Sequence, residues 1–108
     1  MKKRYFAVLL ILSIIAVACG DPNTEGKTYS ILYHGNGESG GYAPQDNKHY
    51  VSGENAIVKN ENTLYKDGYK FLHWNTKPLG DGVSYNAGDT ITVNNITIFL
   101  YAIWGKMP

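Results

Sequence analysis

The stretch that decides the fold is ITIFLYAIW, residues 96–104, near the end of the chain. Only Thr97 in this run is polar, and most of the other side chains are β-branched or aromatic, as is typical of strands. A strand without polar positions usually runs through the middle of a sheet, where both of its faces are covered. The stretch therefore predicts a long, central, buried strand around which the rest of a domain is built.

Short strand patterns separated by turns fill the chain before this stretch. Residues 29–34 alternate at the period of a strand, and further short strands are expected over residues 56–58 and 90–93. Helical turns are expected only near residues 60–66 or 86–89. The sequence therefore predicts a mainly β fold, at the border with α+β, that contains at most one short helix.

Two turn signals separate the strands of the first half of the domain. Residues 35–41 are rich in glycine and predict the turn of a first hairpin, where positive φ angles are needed. Asp67-Gly68 predicts a turn before a strand over residues 69–74. Strict alternation in that strand would place Phe71 on one face and Trp74 on the opposite face.

The chain begins with the pattern of a secretory signal peptide. Three basic residues precede an apolar run, and small residues then lead to the only cysteine, Cys19. The run over residues 5–18 is too short to cross a bilayer, because a spanning helix needs about 20 apolar residues. Residues 20–27 contain no large apolar side chain and are expected to form a flexible tether.

The sequence around Cys19 resembles the lipobox of bacterial lipoproteins, with Ala16 where that family usually has Leu. The resemblance implies that Cys19 is the lipid attachment site and becomes the new N-terminus, and two or more acyl chains give stable membrane anchoring. The protein is then expected to be secreted across the inner membrane and lipid-anchored to the bacterial cell envelope, exposed at the surface. The alternative is an ordinary secreted protein with a free thiol at Cys19.

These features divide the chain into a lipoprotein signal peptide (residues 1–18), a lipidated cysteine with its tether (19–27) and one folded domain (28–108). Removing residues 1–18 changes the formal net charge from +1 to −2, because seven Lys then face nine Asp and Glu. The remaining Lys are scattered singly, so the basic stripe of a nucleic-acid-binding protein is missing. We therefore expect no nucleic-acid partner.

No catalytic or metal-binding constellation is recognisable in the sequence. Residues 35–40 fit the string G-x-G-x-x-G, but polar loop residues and Pro44 follow where a nucleotide site requires a helix. His34 and His73 could lie on neighbouring strands and form at most a weak transition-metal site. Ser39 and Ser84 lie in loops without the pattern of a nucleophile. We expect a protein that is not an enzyme and that uses no cofactor or metal.

Four sequence blocks, in the same order, make the domain similar to the Listeria–Bacteroides repeat, the B-repeat type of internalin-like surface proteins. They are YHGNG (33–37), GYKF followed by WNTK (68–77), YNAGDTI (85–91) and LYAIW (100–104). Members of that family resemble β-grasp folds. The resemblance therefore implies a small, curved, β-grasp-like sheet that clasps a short helix or an irregular segment.

Together, these expectations describe a membrane-anchored adhesion or interaction module that contacts protein or glycan. Tyr42 and Tyr50 are the candidate ligand-binding residues, because Tyr on an exposed loop offers a large contact area at low entropic cost. Local packing of these two rings is the alternative for both. The alternative function is a structural spacer, or a surface module without an external ligand that associates weakly with its own copies through edge strands.

Overall fold

The structure is a computed structural model, and it describes residues 26–108. This part of the chain contains six strands and no helix, so the predicted mainly β class is confirmed. The strands are β1 (Ile31–His34), β2 (Asn55–Ile57), β3 (Tyr69–Asn75), β4 (Ser84–Tyr85), β5 (Thr90–Thr92) and β6 (Ile98–Lys106). The predicted signal peptide, the lipid site Cys19 and most of the predicted tether lie outside the described residues.

The larger sheet has four strands in the order β1-β6-β3-β4. β1 runs parallel to β6, with Ile31 opposite Ile98, whereas β3 is antiparallel to both β6 and β4. The longest strand, β6, is thus inside the sheet, as the sequence predicted. The prediction that both of its faces are covered is wrong: Leu100 and Ala102 are fully buried on one face, but Phe99 on the other is 44% exposed.

The second sheet is an antiparallel pair, β2 and β5, in which Ala56 lies opposite Ile91. Both residues are buried and belong to one core cluster with the inner face of the larger sheet. Because this pair covers a single face of the larger sheet, the other face keeps part of its contact with solvent. The core consists of Ile31, Tyr33, Tyr50, Ala56, Val58, Leu64, Trp74, Ile91, Val93, Leu100 and Ala102.

The backbone of Lys59, just beyond β2, joins the two sheets. Its N–H donates to the hydroxyl oxygen of Tyr33 at 3.0 Å, and its C=O accepts from the indole N–H of Trp74 at 2.8 Å. The two rings pack edge to face, with centroids 4.8 Å apart. Each buried aromatic therefore has a partner for its polar atom, which is what buried Tyr and Trp require.

A β-bulge in β3 overturns the predicted arrangement of its aromatic side chains. Between Phe71 and His73 the pairing advances by two residues on β3 but by one on β6, which leaves Leu72 as an extra residue. The extra residue reverses the alternation, so that Trp74 lies on the same inner face as Phe71, with ring centroids 5.1 Å apart. Strict alternation failed here because it assumes one cross-strand partner for every residue.

One other local expectation differs from the structure. Residues 35–41 do not form the turn of a hairpin, because β1 pairs in parallel with the last strand rather than with the next one. In the described part of the chain, the two candidate helical segments form single turns only. These turns are closed by hydrogen bonds from Leu64 N–H to Glu61 C=O and from Asp89 N–H to Asn86 C=O.

Candidate functional site

The outer face of the four-stranded sheet, which is turned away from β2 and β5, is aromatic where β1 meets β6. Leu32 and His34 of β1 lie beside Phe99 and Tyr101 of β6. The imidazole of His34 stacks on Tyr101, with ring centroids 5.0 Å apart, and on Phe99 at 5.9 Å. Leu32 and Phe99 are both more than two-fifths exposed. These four residues form a surface that we call the aromatic patch.

The loop between β3 and β4, residues 76–83, lies over the other half of the outer face. A Cβ added at Gly80 of this loop would be in ordinary van der Waals contact with the Ile103 side chain of β6. Asn75 at the end of β3 is fully buried and holds the loop in place. Its amide donates to Gly80 C=O and Ser84 Oγ, and its Oδ1 accepts from the N–H groups of Lys77 and Gly82, all at 2.9–3.2 Å. The part of the outer face where β1 meets β6 remains open, and Leu72 of β3 is also 42% exposed.

A groove of about 400 Å³ adjoins the aromatic patch, between β1 and the loop segment at residues 44–47. Leu32, His34 and Phe99 line one side of it, and Pro44 and Asp46 line the other. The volume lies within the range of roughly 300–1,000 Å³ that is usual for ligand-binding pockets. The groove and the patch together form one continuous candidate surface.

Asp46 fixes the loop side of the groove and supplies its carboxylate. Its Oδ1 accepts from the N–H of Lys48 at 3.1 Å, and its Oδ2 accepts from the Tyr50 hydroxyl at 2.6 Å. Over residues 26–108 the carboxylate has no ion-pair partner, because the Lys48 ammonium pairs with Glu54 at 3.3 Å. Burial and the hydrogen bond to Asp46 raise the pKa of Tyr50, since a phenolate would lose both solvation and this bond.

The two Tyr residues predicted to bind a ligand have different environments. Tyr42 is 80% exposed, and its backbone is held by hydrogen bonds with Thr63 and Asn62. The prediction that Tyr50 is exposed is wrong: its side chain is 5% exposed, and its ring belongs to the core. Tyr50 can be buried because Asp46 satisfies its hydroxyl group. Of the two, only Tyr42 offers contact area to a partner.

The described residues bring together no group of three His, Cys, Asp or Glu side chains that could hold a metal ion. His34 and His73, the weak metal pair suggested by the sequence, lie on β1 and β3, and β6 separates these strands. Within residues 26–108, no helix is long and apolar enough to cross a membrane. The arrangement offers apolar, aromatic and hydrogen-bonding contacts rather than reactive groups.

Sequence reasoning did not find the aromatic patch. The alternation in β1 already placed Leu32 and His34 on a common face, but the continuous apolar run of β6 did not reveal that Phe99 points outward. The patch also depends on the parallel pairing of two strands 67 residues apart. No local pattern in the sequence indicates which distant strand lies beside β1.

Comparison with known proteins gives one family and two relatives. The sequence model of the Listeria–Bacteroides repeat domain family matches residues 29–103 of this chain. A protein of Evansella cellulosilytica, provisionally named a Gly-rich membrane protein, is 39% identical over 76 residues, which are 70% of this chain and 9% of the relative. A second protein of that organism, provisionally named a membrane protein, is 34% identical over 80 residues, which are 74% and 12% of the two chains. No solved structure matches.

The chain thus spans about a tenth of the length of these two relatives. The matched range runs from just before β1 into the last half of β6, so it includes both sheets and the aromatic patch. The family consists of surface repeat modules and is not a family of enzymes. Because the match over residues 29–103 covers more than half of the chain, the chain belongs to the family of the Listeria–Bacteroides repeat domain.

Proposed function

We propose that this chain is a cell-envelope interaction module that contacts protein or glycan through the aromatic patch. The observation that carries the proposal is the open part of the outer face where β1 meets β6, because Leu32 and Phe99 are exposed there while the loop over residues 76–83 is held against the end of β3. Contiguous exposed apolar surface in a soluble domain marks interaction sites, and aromatic residues are enriched at interfaces.

The module is held at the membrane, on the outer side, by lipid at Cys19. The signal-peptide pattern and the single cysteine after small residues support this location. The names of the two relatives, both membrane proteins, agree with it. Internalin-like surface proteins carry repeats of the type that this sequence resembles, and a module that makes contacts outside the cell needs such a location.

Matched substitutions on the two sheets test the contact role. We compare the full chain, solubilised in detergent, with Phe99→Ser in the aromatic patch and Ile57→Ser on the exposed side of β2. The native chain and the two variants are each incubated with the same panel of purified cell-wall glycans and extracellular-matrix proteins. We expect capture of the native chain, loss of capture with Phe99→Ser and unchanged capture with Ile57→Ser. Equal capture by both variants would contradict a role for the patch.

The anchor is tested separately by fractionation of cells that produce the chain. We expect the native protein in the membrane fraction and Cys19→Ser in the soluble extracellular or periplasmic fraction, because the variant cannot receive lipid. A Cys19→Ser protein that stays in the membrane fraction after its leader has been removed would exclude lipid as the anchor. Sedimentation of the native chain over a range of concentrations tests the alternative, a self-associating spacer, which predicts oligomers without any ligand.

A further inference from the structure

The groove beside the aromatic patch has one apolar and aromatic wall. Leu32 and Phe99 on this wall are 43% and 44% exposed. The imidazole of His34 stacks on Phe99, so the two rings hold each other in position and lose little freedom when a ligand binds. Ile31 and Tyr33 also line the groove but are buried. The exposed side chains are therefore the groups that a ligand meets.

The opposite wall is polar and consists of three consecutive residues. Gln45 and Asn47 are exposed, and in the part of the chain that the structure describes their side-chain amides make no hydrogen bond to the protein. Asp46 lies between them and accepts hydrogen bonds from Lys48 N–H and the Tyr50 hydroxyl. A carboxylate has about four lone-pair sites, so acceptor capacity remains for a ligand. This wall thus offers donors, acceptors and a negative charge.

The charge of Asp46 is not balanced at the groove. The Lys48 ammonium pairs with Glu54 at 3.3 Å, so these two charges cancel each other. Among the described residues that line the groove, His34 is the only basic one, and it belongs to the aromatic wall. A ligand that carries a cationic group next to an apolar face is therefore complementary to both walls.

We propose that the groove binds a glycan through a sugar ring that carries a protonated amino group. The inference rests on the proposed function, since it chooses between the protein and glycan partners of the same surface. A pyranose ring has an apolar face of C–H groups and a rim of hydroxyl groups. The C–H face packs against Leu32 and Phe99, because the negative face of an aromatic ring attracts polarised C–H groups.

The polar wall fixes the orientation of the ring. Its hydroxyl groups exchange hydrogen bonds with Gln45 and Asn47, because a side-chain amide both donates and accepts. The ammonium group donates to the Asp46 carboxylate, and a hydrogen bond between two charged groups is stronger than one between neutral groups. A few polar groups beside a larger apolar surface are the usual composition of a small-ligand site.

A sugar uses this groove more fully than a peptide does. An extended peptide carries a regular row of N–H and C=O groups and satisfies them by pairing with an exposed sheet edge. Ile31 and Tyr33, the residues of β1 that line the groove, are 0% and 9% exposed and offer no such edge. The polar groups of a sugar surround its ring and need only side-chain partners, which the polar wall provides.

Three tetrasaccharides with the same linkage between glucose-type rings test the proposal, since they differ only in one substituent of each ring. That substituent is a protonated amine in the glucosamine tetramer, an acetamide in the N-acetylglucosamine tetramer and a hydroxyl in cellotetraose. Each is titrated into the full chain in a detergent without a sugar headgroup, and the amide signals are followed by NMR. All titrations use one mildly acidic pH, at which the sugar amine carries its proton and His34 is in the same state for all three probes.

We expect the glucosamine tetramer to bind about threefold more tightly than cellotetraose, as for an exposed ion pair, and the N-acetylated tetramer to bind no more tightly than cellotetraose. Binding should shift the side-chain amide signals of Gln45 and Asn47 and the backbone amide signal of Leu32. Asp46→Asn, which keeps the shape of the side chain, should remove the preference for the amine and leave the affinity for cellotetraose nearly unchanged. Asp81→Asn removes the same charge from an exposed residue outside the groove and should keep the preference.

Phe99→Ser tests the aromatic wall and should weaken the binding of all three tetramers by about fivefold. Four results would overturn the proposal: no binding of any tetramer, equal affinity for the amine and hydroxyl forms, tightest binding of the N-acetylated form, or a preference for the amine that survives Asp46→Asn. If Phe99→Ser abolishes capture of a matrix protein while no tetramer binds, the proposed function stands and its partner is a protein. If the native chain captures no member of the panel, the proposed function itself fails.

Discussion

Single side chains that make several hydrogen bonds hold the loops of this small domain in place. Asn75 makes four hydrogen bonds that fix the loop over the outer face, and Asp46 makes two that fix the loop beside β1. These two residues thereby decide which part of the sheet is covered and which part is open. In a domain whose total stability is on the order of 5–10 kcal/mol, the loss of one such residue is a large change.

The buried hydroxyl of Tyr50 makes stability sensitive to alkaline pH. Burial raises its pKa above the ordinary value of about 10. Above that pH the unfolded chain releases the proton while the folded chain keeps it, so the free energy of unfolding falls as pH rises. We expect Tyr50→Phe to cost about 0.5–1.5 kcal/mol at pH 7, where the bond to Asp46 is lost, and to flatten the decline above pH 10.

Urea unfolding of the native chain and the variant from pH 7 to pH 11 measures this effect. Some decline should persist in Tyr50→Phe, because burial also raises the pKa of Tyr33. The control is Tyr42→Phe, whose hydroxyl belongs to an exposed ring and whose profile should match that of the native chain. The same alkaline slope in Tyr50→Phe as in the native protein would exclude this role for Tyr50.

At the scale of strands, local patterns in the sequence locate the elements but not their partners. The turn at Asp67-Gly68 and the apolar run near the end placed β3 and β6 close to their observed bounds. The bulge at Leu72 could not be predicted, because it depends on how β3 pairs with β6 and leaves no local signal in a strand that mixes polar and apolar residues on both faces. For the same reason the aromatic patch, built from β1 and β6, was not predicted.

The bulge leads to a prediction about deletions. Removing Leu72 would leave Phe71, His73 and Trp74 in strict alternation, with both aromatic rings still on the inner face. We therefore expect the deletion to preserve the fold at a cost of about 1–2 kcal/mol, because only twist and the contacts of one half-exposed side chain are lost. Urea unfolding and the near-ultraviolet circular dichroism of the Trp residues measure this.

Deletion of Tyr101 from β6 provides the contrast. β6 has no compensating bulge at that position, so the deletion would turn either Leu100 or Ala102 out of the core. We expect that variant to be unfolded. If the two deletions destabilise the domain equally, the interpretation of Leu72 as an extra residue without a cross-strand partner on β6 is wrong.

At the scale of the whole molecule, two small sheets share one core and depend on each other. The first strand, β1, pairs in parallel with the last strand, β6, which brings the two ends of the domain together in one sheet. The other layer consists of β2 and β5, with three residues each. Neither sheet has a second face that is fully covered, so each buries most of its apolar residues against the other. A two-stranded sheet of this length is not stable alone, so its stability comes from packing against Trp74 and Leu100.

This dependence predicts that damage to the smaller sheet unfolds the entire domain. Ile91 of β5 is 4% exposed, and Ile91→Ala should cost about 2–4 kcal/mol. Native-state amide exchange should then accelerate by the same factor at Ala56 in β2 and at Leu100 in β6, since both sites open only with global unfolding. Ile57→Ala, on the exposed side of β2, should leave both rates nearly unchanged. Acceleration at Ala56 alone would mean that the two-stranded sheet opens independently, and the shared core would not be the unit that holds the patch in place.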